Sequence, residues 1–382
     1  KIMNNTLSTP LWQPSARQVS ETNLAKFTKD LKLPNDYTIL HAWSVDYKDL
    51  FWRAVWKHCK IVGDIGSDRV LINENKLLES TFFPDATLNF AENLLHNRGN
   101  QLAIISHLEN GEQHRLTRNQ LLEQVHALSS QFKIFNLEMG DRVAAFMPNT
   151  HETVTTMLAA TTLGGTFTSC SPDFGANGVV DRFSQTSPKI LVATSGYTYN
   201  GKFISSLPTI IEVCEQVPSI EHLILVTSLD TGTTTRNTDI EKLSAQLTCQ
   251  VHYYAELITT QAVGPLEFTR VPFNHPLYIM YSSGTTGTPK CIVHGTGGTL
   301  IQHLKEHQLH VDVKPEDRLF YFTTCGWMMW NWLVSGLASG ATLILYDGSP
   351  TFPEPQRLWD LIDSEQINIF GTSAKYIASM DK

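Results

Sequence analysis

The sequence predicts an α/β fold: βαβ-type subdomains with mostly parallel sheets flanked by helices, behind an N-terminal helical extension. Three observations point there. From about residue 100, short apolar runs of strand length alternate with stretches of helical length, the pattern of parallel strands joined by helices. The 382 residues exceed what one core usually organises, so more than one subdomain is expected. Residues 1–85 are instead rich in tryptophan and in polar helical periodicity. The expected division is an extension over 1–85 packed on the main domain, a first α/β subdomain over 86–270 and a second over 271–382.

Taken in order, helices are expected at 20–31 and 47–59. Trp52 and Trp56 lie four apart and share a helical face, as a cap packed on a larger domain would need. A strand is expected at 102–106. Thr117 with Gln120 forms a capping box that opens a helix running to about 134. Gly140-Asp141 turns into a strand at 143–147, and Pro148-Asn149-Thr150 starts a helix over 151–163. Strands follow at 189–193, 222–227, 251–254 and 277–282, with a Ser/Thr-rich surface loop at 228–240. The remainder reads as a helix at 299–310, strands at 319–323, 341–346 and 367–370, and a helix near 354–365. No internal repeat is visible.

Hydrophobic residues make up 42% and charged residues 17%, an ordinary globular balance rather than a disordered one. The formal net charge of −8 excludes a bulk electrostatic nucleic-acid binder, so an anionic ligand must be met by local positive charge. Six cysteines are scattered singly and read as reduced, mostly buried thiols. The start has no apolar signal core, and no apolar run approaches membrane-spanning length; a cytoplasmic protein without a membrane partner is the expectation. The chain opens without Met and stops at Met380-Asp381-Lys382, which suggests a fragment.

The stretch over 281–290 reads Tyr-Ser-Ser-Gly-Thr-Thr-Gly-Thr-Pro-Lys, after the apolar run Leu277-Tyr278-Ile279-Met280. Glycines let backbone amides approach an anion, hydroxyls add donors, and a lysine supplies a point charge. That inventory suits nucleotide phosphates, although a cluster of this composition between periodic segments is otherwise simply a loop. The Walker pattern is absent: Lys290 follows Pro289 and precedes Cys291, which argues against a P-loop NTPase.

The ordered string resembles the phosphate loop of the adenylate-forming superfamily, which contains acyl-CoA synthetases, luciferases and peptide-synthetase adenylation domains. The segment from Phe83-Pro84-Asp85 to Asn93-Leu94-Leu95 resembles the corresponding part of acetyl- and acetoacetyl-CoA synthetases. Ser169-Cys170-Ser171-Pro172-Asp173-Phe174-Gly175, with Asp181-Arg182-Phe183, resembles a segment near the CoA nucleotide. Gly326-Trp327-Met328-Met329-Trp330-Asn331, Leu345-Tyr346-Asp347-Gly348-Ser349-Pro350 and Phe370-Gly371-Thr372-Ser373-Ala374 look like the acetoacetyl-CoA synthetases in particular.

The resemblance implies the large N-terminal domain of that fold, with acetoacetate, ATP, Mg2+ and CoA as its small-molecule partners. It implies phosphate contacts from Ser282, Ser283, Gly284, Thr285, Thr286, Gly287 and Lys290, with Thr285 and Lys290 catalytic. Trp327, Met328, Met329 and Asn331 would form the acyl site, and Arg182 would meet the CoA phosphates; a surface salt bridge from Arg182 to Asp181 or Asp173 is the alternative. The motifs for adenine, ribose and magnesium, and the mobile C-terminal domain with its lysine, are expected beyond Lys382. By themselves these residues are expected to show little or no activity.

One motif competes. His303-Leu304-Lys305-Glu306-His307 matches the H-x-x-E-H form of inverted zinc peptidases. No further ligand motif supports it, so a solvated or partly buried helix face is expected instead, with no metal site.

Overall fold

The computed structural model describes residues 10–227, 241, 243–282 and 287–381. Two large sheets dominate. We number their strands in chain order: β1 (Leu102–Leu108), β2 (Gln113–Thr117), β3 (Arg142–Phe146), β4 (Thr166–Cys170), β5 (Ile190–Thr194), β6 (His222–Val226), β7 (Gln250–Tyr253), β8 (Pro276–Ser282), β9 (Lys290–Gly295), β10 (Arg318–Tyr321), β11 (Thr342–Asp347) and β12 (Ile369–Gly371). The seven-stranded sheet has the order β7-β6-β5-β3-β4-β8-β9, and the five-stranded sheet β12-β10-β11-β1-β2. All neighbours are parallel except β8/β9 and β1/β2. The mostly parallel α/β fold expected from the sequence is therefore the one found. The sheets interleave along the chain, however, and a boundary near residue 270 would divide both of them.

Strand period sorts the side chains into cores. Val143, Ala145, Ile190 and Val192 pack into the main core, while Ala144, Phe146, Leu191 and Ala193 point the other way with Val179, Phe183, Ile210 and Val213. Both faces of these strands are buried, which is why they read as continuous apolar runs. In the second sheet Ile104, Leu319 and Leu343 join the same main core; Ile105, Phe320 and Ile344 face Leu358 and Leu361 of the helix Arg357–Glu365. The main core thus fills the space between the sheets. The open ends of the parallel strands, where ligands characteristically sit in such sheets, come together at one crevice.

Several elements depart from expectation. The helix expected at 20–31 is two, Ala16–Ser20 and Asn23–Asp30, because Thr22 Oγ1 accepts from Ala25 N at 3.1 Å and caps a new start. A helix at Tyr37–Asp46 was not anticipated; its apolar residues surround it and only Leu40 is buried, so no stripe marks it. Trp56 is buried against Phe83 (5.1 Å) and Phe273 (6.4 Å). The segment expected as one helix over 299–310 is the α-helix Thr296–Lys305 followed by a π-helical turn, Glu306–His310. The loop expected at 228–240 lies outside the described residues. No helix among those described is long and apolar enough to cross a membrane.

Candidate active site

β8 and β9 form an antiparallel hairpin in which Ser282 is the register partner of Lys290. Both ends of the predicted phosphate loop are therefore held one strand apart at the end of the larger sheet. Ser283, Gly284, Thr285 and Thr286 lie outside the described residues. Gly287 has φ of +110°, a conformation that a side chain would oppose, and it lets the chain return towards Lys290. Lys290 is exposed and makes no ion pair among the described residues.

Arg182 sits beside this hairpin. Its guanidinium lies 4.4 Å from the Phe174 ring centre and 5.7 Å from that of Tyr281, and Nη1 donates to Gly178 O at 2.6 Å. Neither Asp181 nor Asp173 pairs with it among the described residues, so the surface salt bridge is not the arrangement found. The Tyr281 hydroxyl accepts from Thr168 Oγ1 at 2.7 Å, which fixes its ring under the arginine. Burial pushes that phenol well above its usual range.

The four residues expected at the acyl site separate. Asn331 is 3% exposed, on the helix Met328–Ser335, and lines a small cavity with Met280, Cys325 and Gly326. Its amide contacts only a weak acceptor there, Met280 Sδ at 3.6 Å. Met329 is half-buried against the main core. Trp327 and Met328 are 68% and 44% exposed and do not line this cavity. They precede or open the helix, on its outer side, whereas Trp330 and Asn331 turn inward.

The crevice also holds residues to which the sequence reading gave no role. Asn149, just past β3, accepts from Trp330 Nε1 at 2.9 Å and donates its backbone N–H to Asp347 Oδ1 at 3.2 Å. Asp347 closes β11 and lines an open space of about 860 Å3 with Asp173, Tyr197, Tyr199 and Thr324. Burial raises its carboxyl to about 6, against the lowering effect of the Asn149 hydrogen bond. Glu109 accepts from Gly201 N at 2.7 Å and Ser349 N at 2.6 Å, tying the hairpin Gly196–Tyr199 and Lys202–Ser205 to the turn after Asp347. A Cβ on Gly348 would lie 2.6 Å from Glu109 Cβ, so that close approach requires glycine. One available signal was position: polar residues directly after strand ends in a parallel sheet.

The zinc-peptidase motif lies elsewhere. The face expected to be solvated or partly buried is buried: His303 Nδ1 bonds Ser335 Oγ at 2.8 Å, and His307 is fully enclosed with its ring 4.2 Å from Trp332. Burial pushes His303 down to about 4 and His307 to about 3, so both are neutral at ordinary pH. Among the described residues, no three His, Cys, Asp or Glu side chains are grouped to hold a metal ion.

Known proteins resemble this chain over nearly its whole length. A sequence model described as AMP-binding enzyme matches residues 91–379. The chain is 44% identical over 381 residues to an acetoacetyl-coenzyme A synthetase of Rhizobium meliloti (strain 1021), spanning 98% of this chain and 56% of that protein. It is 38% identical over 384 residues to an acetoacetyl-CoA synthetase of Gallus gallus, spanning 97% and 56%. The solved structure of acetoacetyl-CoA synthetase from Streptomyces lividans superposes with a TM-score of 0.89 at 36% identity, covering 97% of this chain and 56% of the other. The chain spans about half the length of the relatives it matches.

Proposed function

The chain belongs to the AMP-binding enzyme family, and from that premise we propose that it supplies the phosphate and acid sites of an AMP-forming acetoacetate–CoA ligase. A free carboxylate is a poor acyl donor because its leaving group would be oxide. Attack of an acetoacetate oxygen on the α-phosphorus of ATP expels pyrophosphate and leaves a mixed anhydride. The CoA thiolate then attacks the acyl carbon, and AMP departs.

The observation that carries this reading is the register of Ser282 against Lys290, which sets a cation beside the glycine- and hydroxyl-rich loop. Lys290 balances charge gathering on pyrophosphate, and Ser282 with residues 283–287 orients the phosphates. Asn331 donates to the 3-keto oxygen of the acid, while Met280 and Met329 supply apolar contact. Arg182, held over Phe174 and Tyr281, is positioned beside the loop for the phosphates of CoA. Magnesium bound with ATP would offset the phosphate charge; among the described residues no group of three His, Cys, Asp or Glu side chains would hold it by itself. Because the chain spans about half of its relatives, the 382 residues alone are expected to turn over little or nothing.

A panel of short acids in an acid-dependent pyrophosphate-release assay on the whole protein tests the assignment. Acetoacetate should give the highest kcat/KM. A higher value for acetate or butyrate would make it a different short-chain synthetase, and no release with any acid would remove the ligase reading.

A further inference from the structure

A groove separate from the crevice at the strand ends carries chemistry that the proposed reaction does not use. The helices Asn23–Asp30, Tyr37–Asp46 and Lys48–His58 meet residues 305–310 around a space of about 640 Å3, partly open to solvent. Leu24, Phe27, Leu40, Phe51 and Leu309 make its walls. The Phe27 and Phe51 rings meet edge-on at 6.1 Å, so one side of the groove is a fixed aromatic corner. The helix on the opposite side changes from α to π over Glu306–His310, a widening often found at binding sites.

Lys305 stands in this apolar wall. Its Nζ lies 5.9 Å from the Trp52 ring centre, and it pairs with no carboxylate among the described residues. The adjacent carboxylate, Glu306, is committed elsewhere: Oε1 accepts from Gln302 Nε2 at 2.7 Å and Oε2 from Trp332 Nε1 at 3.0 Å. Burial holds the ammonium below its ordinary range, with Glu306 opposing that only in part. His41, Ser44 and His310 rim the same space and offer further polar contacts.

We propose that this groove binds a small carboxylic acid with an apolar chain, its carboxylate on Lys305 and its chain along Phe27, Leu40 and Phe51. An inorganic anion would satisfy the lysine and leave the apolar walls wet. A neutral hydrocarbon would fill the walls and leave the cation desolvated without a partner. An amphipathic acid answers both needs, since its carboxylate pairs with the half-buried ammonium and its chain buries apolar surface.

Octanoate titrated calorimetrically into the whole protein tests the site, with tryptophan fluorescence as a second readout. One molecule should bind per chain, Lys305→Met should weaken binding about tenfold or more, and Lys305→Arg should stay within about threefold of the parent. Octanamide, which lacks the charge, should bind about tenfold more weakly. Leu40→Trp, which fills the groove, should abolish binding; if that variant melts early, the Lys305 pair decides, because both replacements keep the side-chain stem. Saturating acetoacetate should not displace octanoate. Absence of saturable binding, parent-like binding by Lys305→Met, or displacement by acetoacetate would overturn the proposal.

Discussion

Trp330 Nε1 donates to Asn149 Oδ1 across 2.9 Å in the buried seam between the two sheets. Asn149 follows β3 of the larger sheet, while Trp330 lies on the helix reached from β10 of the smaller one. The same asparagine holds Asp347 through its backbone, and its amide nitrogen lies 3.4 Å from both Thr323 O and Tyr346 O. One side chain therefore links three strand ends that line the crevice.

Replacing that residue should be costly. Asn149→Leu leaves the Trp330 indole N–H buried without an acceptor, a loss of about 1–3 kcal/mol per unsatisfied group. Urea unfolding should show a lower midpoint with an unchanged slope. A midpoint equal to that of the parent would mean that the seam does not depend on this hydrogen bond.

Asn331 should matter for acid choice more than for stability. Its amide is buried beside a thioether, a weak acceptor, so a keto oxygen would improve its bonding. In the whole protein, Asn331→Leu should lower the preference for acetoacetate over butyrate by about 1–3 kcal/mol, roughly five- to 150-fold in the ratio of kcat/KM. An unchanged ratio would remove the asparagine from acid recognition.

Asp347 gives a pH signature whose sign follows from burial. Its folded carboxyl titrates at about 6, above the usual 3.8, so the folded state holds the proton more tightly. Stability from this group is greatest in acid and is lost as pH rises through about 4 to 6. Asp347→Asn should therefore melt higher than the parent above pH 6, by a few degrees, with the difference shrinking as pH falls towards 4. A difference that grew in acid would contradict the raised carboxyl.

Much of this architecture was legible because it is local. Val143 to Phe146 and Ile190 to Ala193 are buried on both faces, so their apolar runs announce parallel strands. The capping box of Thr117 and Gln120 forms as read, with Gln120 N donating to Thr117 Oγ1 at 3.2 Å. The resemblance over 281–290 rests on an ordered string, not on a composition. What escaped depends on partners distant in sequence: Glu109 meets Ser349 240 positions away, and Asn149 meets Trp330 181 away. Burial direction was equally hidden. Trp327 and Trp330 belong to one apolar cluster in the sequence, yet the turn into the helix exposes the first and buries the second.

The proposed ligase depends on the hairpin of Ser282 and Lys290 to hold a triphosphate beside an acid. Acetoacetate-dependent exchange of labelled pyrophosphate into ATP, measured on the whole protein and its Lys290→Ala variant, tests this most directly. A preorganised charge of this kind lowers a barrier by about 2.7–4 kcal/mol, so the variant should exchange roughly 100- to 1,000-fold more slowly, with its KM for acetoacetate within about threefold of the parent's. Exchange at the parental rate would mean that this hairpin does not hold the triphosphate.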